Sequence, residues 1–211
     1  LYAQGADPSG NREAPENLYI VATEDNTNIY IDGAGPVTNI DEGETYRYEF
    51  WATGNDFVHV RGDKKIIVLH VSGFGCEVGG AILPPIDKCT GSTRVSVNRT
   101  TDESFFFNLM VYEGAQDSMY IDGVLQDGGA GTLLGPGDFT SVTNTNWRIW
   151  RSPDLRNDPN FPEDSTFTFV NTEDVFHLGL INGDLSTGCR FGYFSDFNDL
   201  RVGAEATGSS S

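Results

Sequence analysis

Three histidines, His59, His70 and His177, and 31 aspartates and glutamates are the groups with which this 211-residue chain could move protons. A histidine base needs a neighbour that orients it and a nucleophile or substrate within hydrogen-bond reach. None of the three is accompanied by a Gly-x-Ser-x-Gly elbow, a His-Glu-x-x-His pair or a phosphate-cradling glycine loop. His70 and His177 hold corresponding places inside apolar strands, which reads as a structural role. A glycoside-active enzyme would have to rest on a carboxylate pair, which any chain this acidic offers. No catalytic residue is assigned, and the chain is read as non-enzymatic.

Carboxylates also hold hard cations. Glu24-Asp25-Asn26 with Asp32, the run Asp154 to Asn160 with Glu163 and Asp164, and Asp196-Phe197-Asn198-Asp199 are oxygen-rich loops of the kind calcium uses, though none has EF-hand spacing. Asp196, Asn198 and Asp199 form the calcium site expected among them; ordinary solvated turns, made of the same residue types, are the competing reading. Cys76, Cys89 and Cys189 show no C-x-x-C or Cys/His metal spacing, so zinc is not expected and an oxidising compartment is. A Cys76–Cys89 disulfide is expected across a loop stiffened by Pro84-Pro85. A Cys76–Cys189 bridge tying the two halves together is its rival.

A ligand site is expected in the segment Asn144 to Asp164, which has no counterpart of similar length in the first half and whose tail holds Pro153, Pro159 and Pro162. Trp147 and Trp150 are three apart, so on a strand they point to opposite faces and one of them should be exposed; the competing reading packs both indoles beneath the loop as its own core. With Arg148, Arg151 and Asp154 the exposed indole would form a flat apolar platform edged by hydrogen-bonding groups. Arg61-Gly62-Asp63 spells an integrin-type tripeptide, but between two strands Gly-Asp simply makes a turn.

The elements that must position these residues are strands. Leu18 to Ala22, Asn28 to Asp32, Thr45 to Trp51, Phe57 to Val60 and Lys65 to Val71 in the first half, and Arg94 to Asn98, Ser104 to Tyr112, Met119 to Asp122, Phe139 to Val142, Trp147 to Trp150, Ser165 to Val170, Val175 to Ile181 and Phe191 to Phe194 in the second, carry β-branched and aromatic residues between Asp/Asn/Gly turns. No segment sustains helical periodicity. The halves echo each other: Ile29-Tyr30-Ile31-Asp32-Gly33 recurs as Met119-Tyr120-Ile121-Asp122-Gly123, and Gly43-Glu44-Thr45-Tyr46 has a loose counterpart in Gly137-Asp138-Phe139-Thr140. An all-β fold of two internally duplicated antiparallel sandwich units, jelly-roll-like and almost without helix, is therefore expected. Residues 17–83 would be the first unit and 93–200 the second, joined by a Pro-Pro and cysteine connector over 84–92. Residues 1–16 read as an arm or linker and 201–211 as a linker-like tail.

The net charge of −18 argues against nucleic acid and anionic membrane surfaces. No apolar run approaches the roughly 20 residues that span a bilayer, so a soluble, processed chain or an excised domain is expected.

Three stretches carry a resemblance: Val21-Ala22-Thr23-Glu24-Asp25-Asn26-Thr27, the connector from Ser72 to Ile86 with its ending Cys89-Thr90-Gly91-Ser92, and Gly188 to Phe197 with its Gly-Tyr-Phe-Ser-Asp-Phe close. Over residues 17–199 the chain resembles the IgGFc-binding-protein N-terminal-like domain family, found in large surface or secreted bacterial proteins of the Bacteroidetes type. The resemblance implies a non-catalytic extracellular or cell-surface module for adhesion or assembly. Its partners would be a glycan or protein surface ligand, or neighbouring copies of itself in a fibre or array. A polysaccharide-binding module is the alternative, and calcium the one cofactor expected.

Overall fold

The computed structural model describes residues 2–4, 17–49, 57–74, 77–86, 88–184 and 188–194. Within them the chain is strand and turn, with no α-helix and two single 3-10 turns at Gln116–Ser118 and Pro136–Asp138. Among the described residues no helix is long and apolar enough to cross a membrane.

The first unit contains β1 (Tyr2–Gln4), β2 (Asn17–Ala22), β3 (Thr27–Ile31), β4 (Thr38–Ile40), β5 (Thr45–Glu49), β6 (Phe57–Gly62), β7 (Ile66–Phe74) and β8 (Glu77–Ile82). They form two four-stranded antiparallel sheets, in the orders β1-β6-β3-β4 and β5-β2-β7-β8. The second unit contains β9 (Arg94–Arg99), β10 (Phe105–Tyr112), β11 (Met119–Ile121), β12 (Val124–Leu125), β13 (Thr140–Ser141), β14 (Trp147–Arg151), β15 (Ser165–Asn171), β16 (Phe176–Asp184) and β17 (Gly188–Phe194). Its sheets run β9-β15-β11-β12 and β13-β14-β10-β16-β17. Strand for strand, β1 to β4 match β9 to β12, β5 matches β14, and β6 to β8 match β15 to β17, with β13 added in the second unit. The duplication expected from sequence is thus a property of the topology.

The match extends to single hydrogen bonds. The Asp32 amide donates to the His59 carbonyl, and the His59 amide donates back to the Asp32 carboxylate, both at 2.8 Å. Asp122 and Thr168 repeat the pair at 2.8 and 2.7 Å. Asp32 and Gly33, like Asp122 and Gly123, both take positive φ, which is the two-residue hairpin turn that Asp-Gly favours. The segment read as an arm or linker supplies β1, which pairs Tyr2, Ala3 and Gln4 with His59, Val58 and Phe57 as β9 pairs with β15.

Two of the expected echoes do not hold. Gly137 to Thr140 leads into the added strand β13, whereas the counterpart of β5 is β14. His70 and His177 lie on opposite faces of their strands: His70 shares the face of Val68, which points into the first core, while His177 is turned away from Phe176 and Leu178 and stacks edge-on against Trp147 at 4.8 Å. Apolar surroundings were legible in the sequence, but the two histidines are offset by three residues relative to the ladder, and an odd offset exchanges the faces.

Each unit has its own core between its sheets. The first is aliphatic, around Leu18, Ile20, Ile29, Val58 and Val68. The second is built on Phe105, Phe107, Phe161, Phe167 and Phe169, with Phe107 meeting both Phe105 and Phe169 edge-on at 4.7 Å. A third cluster of Met110, Val142, Trp147 and Ile149 lies on the outer face of β10 and β14, and Phe57 and Ile86 pack on it from the first unit and the connector.

Candidate functional site

In the segment expected to bind a ligand, both indoles are internal. Trp147 and Trp150 do point to opposite faces of β14, yet they are only 6 % and 7 % exposed. The expectation of one exposed indole is overturned because β14 has neighbours over both faces: Trp150 enters the phenylalanine core, and Trp147 enters the third cluster. Arg148 lies on the Trp150 side and pairs with Glu113 at 2.6 Å; Arg151 lies on the Trp147 side. Asp154 accepts hydrogen bonds from the Phe105 amide (3.1 Å), the Ser104 hydroxyl (2.9 Å) and the Arg156 amide (2.9 Å). Buried Arg99 ties the same loop down through the carbonyls of Phe161 and Arg156. The five residues are therefore not gathered on one surface.

Asp196, Asn198 and Asp199 lie outside the described residues, as does Cys76, while Cys89 is exposed in the connector. Among the described residues no three His, Cys, Asp or Glu side chains converge as metal ligands. Asp25 and Asp32 instead accept backbone amides of Glu42 and His59. Asp63 of the Arg-Gly-Asp tripeptide is also engaged at home: Asn28 donates to it from its amide at 2.9 Å and its side chain at 2.7 Å, and these bonds hold its carboxyl below the usual carboxylate range.

What the fold does open is a groove of about 960 Å³ on the first unit, where the β6–β7 turn faces the chain leaving β8. Its floor is aliphatic, from Ile66, Ile67, Ile82 and Leu83, and its wall is Pro84-Pro85. Ile67 and Ile82 are 48 % and 65 % exposed, an unusual degree for side chains of this size. Arg61, Lys64 and Lys65 stand at the rim. Although 31 of 211 residues are Asp or Glu, no carboxylate is among the described residues lining the groove. Arg61 rests its guanidinium over the Tyr30 ring at 3.9 Å, and Lys64 donates to the Asp25 carbonyl. Neither Arg61 nor Lys65 forms an ion pair among the described residues. His59, at the inner end, has its pKa lowered to about 4, chiefly by burial and further by Arg61, so it is neutral at physiological pH. The groove thus offers an apolar slot with positively charged side chains at its mouth, suited to an apolar side chain flanked by carboxylates.

Sequence reasoning passed over this site. Its trace was a local excess of cations: all three lysines of the chain fall at 64, 65 and 88.

The family model described as IgGFc binding protein matches residues 3–174, from β1 to the turn before β16. No curated protein and no solved structure matches the chain.

Proposed function

Because the chain belongs to the IgGFc binding protein family, we propose that it is a non-catalytic extracellular module that serves adhesion or assembly by holding a protein partner in the groove of its first unit. The observation that carries this reading is the aliphatic floor under Arg61, Lys64 and Lys65, with no lining carboxylate among the described residues. In water, such a surface is stabilised by covering it, and an acidic protein segment supplies both the apolar and the charged complement. A polysaccharide is served less well, because Trp147 and Trp150, the indoles expected to meet a sugar ring, are buried. The family name makes immunoglobulin Fc the first partner to try. Biolayer interferometry of the chain against Fc and a panel of extracellular matrix proteins is expected to find one that binds, and binding is expected to weaken at least tenfold in Ile67→Glu. Response to glycans alone, with no protein bound, would end this reading.

A further inference from the structure

A strand at the end of a sheet leaves one row of amides and carbonyls unpaired, and folds commonly guard that row by shortness, charge, proline or a bulge. Most end strands of this chain are guarded. β1, β4, β12 and β13 are two or three residues long, β5 bears the Arg47–Glu49 ion pair, and β8 and β17 lie beside each other. β9, at the end of the second unit's four-stranded sheet, is the exception. It pairs with β15 through six consecutive residues, Arg94 to Arg99, without a register shift and without proline. Its two arginines do not fence it. Arg99 is buried, with its guanidinium on the carbonyls of Thr101, Phe161 and Arg156, and Arg94 stands at one end.

The Asn171 amide donates to the Thr93 carbonyl, and antiparallel ladders alternate. Val95, Val97 and Arg99 therefore turn their amides and carbonyls to β15, while Arg94, Ser96 and Asn98 turn theirs outward. None of these outward groups has a hydrogen-bond partner among the described residues. The fold leaves this edge open in both units, since β1, the counterpart of β9, also ends its sheet.

The surroundings select what fills such an edge. β9 and β15 together contain no Asp or Glu, in a chain with 31 of them. Arg94 is exposed and forms no ion pair among the described residues. With Ser96 and Asn98 it lies on the outer face, where the Ser96 hydroxyl meets that of Thr168 at 2.9 Å and Asn98 accepts the Thr166 hydroxyl at 2.7 Å. Val95 lies on the inner face and is only partly buried against the phenylalanine core. An added strand thus needs an apolar residue over Val95, polar residues beside Ser96 and Asn98, and a carboxylate beside Arg94. A second copy of β9 offers no carboxylate, and its chain brings a further −18.

We propose that the open edge of β9 is a strand-addition site for an extended, carboxylate-bearing segment of a partner polypeptide, whose main chain pairs with Arg94, Ser96 and Asn98. In this mode main-chain hydrogen bonds anchor the segment and the neighbouring side chains choose it. The contact is separate from the groove of the first unit and goes beyond the reading of that groove.

The probe is an eight-residue peptide of alternating valine and threonine with a glutamate at each end, read by fluorescence anisotropy on the full chain. Its controls are a lysine-ended twin and a form N-methylated throughout, which keeps the side chains and has no main-chain donor. Ser96→Pro deletes an outward amide and spares the β15 ladder, since proline is tolerated where the N–H faces solvent. Arg94→Glu reverses the exposed charge. The glutamate-ended peptide is expected to bind at least fivefold more tightly than its twin, and the order is expected to invert in Arg94→Glu. Binding is expected to fall at least tenfold in Ser96→Pro and with the N-methylated form. Equal binding of the two peptides, an unchanged order in Arg94→Glu, or retention of the N-methylated form each overturns the proposal, as does undiminished binding to a Ser96→Pro chain with unchanged circular dichroism. If Ser96→Pro does not fold, Arg94→Glu and the N-methylated form decide alone. Self-association of the wild-type chain that Ser96→Pro abolishes assigns the edge to a second copy and also overturns it. Ile67→Glu is expected to leave the peptide bound. A peptide lost in Ile67→Glu lies in the groove, so the edge proposal falls while the module reading stands. Peptide binding at β9 with no protein of the panel bound supports the edge and ends the groove reading.

Discussion

Asp154 shows how a carboxylate in a long acidic loop is recruited for structure. It bonds the Phe105 amide and the Ser104 hydroxyl at the start of β10 and the Arg156 amide in its own loop, so it clamps the loop to a core strand. Asp154→Ala leaves a strand-initiating amide without its acceptor and is expected to lower unfolding stability by about 1–3 kcal/mol in urea titrations. His59 contributes to the pH dependence of the first unit. Its folded pKa of about 4 lies below the ordinary value of 6.5, so the neutral form is the one the fold prefers. Stability from this residue is complete above pH 6.5. It is lost as the pH falls from there toward 4, because the unfolded chain takes a proton that the folded one refuses. With partial exposure screening the effect, the loss is on the order of 1 kcal/mol. Melting curves at pH 7.5 and 4.5 should therefore show a smaller drop in His59→Gln than in wild type, and equal drops would remove His59 from the account. The side-chain type of each residue was readable from the sequence, but its partners were not, since Asp154 finds Phe105 and His59 finds Asp32 across 49 and 27 positions.

At the scale of elements, the alternation of apolar and polar residues and the Asp-Gly turns were sufficient to place the strands and to suggest the duplication. What covers a strand was not contained in its own pattern. β14 reads as two-faced with either face free, and only the fold brings the first unit over its second face. β1 was hidden for the converse reason: three residues carry no period, and its place follows from its twin β9. The twin hairpins give a test of how far the copies have diverged. Gly33 has φ +70° and Gly123 has φ +84°, so alanine at either incurs the cost of a left-handed conformation, about 1 kcal/mol. Around Gly123 there is open space, whereas a β-carbon at Gly33 would overlap the Asn144 side chain. Gly33→Ala is therefore expected to destabilise clearly more than Gly123→Ala, and Asn144→Gly should restore the double variant to the Gly123→Ala level. Chemical denaturation of the four proteins checks this, and equal losses for the two alanines would mean that the hairpin and Asn144 do not meet.

In the whole molecule the two sandwiches, each with its own core, are held as one body by the third cluster. Trp147, Ile149, Met110 and Val142 present an apolar face of the second unit, and Phe57 from β6 and Ile86 from the connector close over it. Fully burying each large apolar side chain stabilises by about 1.5–3 kcal/mol, enough for so small an interface to couple units of this size. The coupling works against charge, since a net −18 spread over both units makes them repel. Calorimetry of the wild-type chain is accordingly expected to give one transition in moderate salt. Replacing Phe57 and Ile86 together by serine removes the first unit's share of the cluster without touching either core. Two separate transitions are expected in that variant, together with a red-shifted indole emission as Trp147 meets water. Lowering the salt should separate the transitions further, because screening of the acidic surfaces weakens as the Debye length grows from about 10 Å at 0.1 M to about 30 Å at 0.01 M. A single transition with unshifted emission in the double variant would mean that the units are coupled elsewhere, with the β8 and β17 edges, which touch without forming a ladder, as the next contact to break.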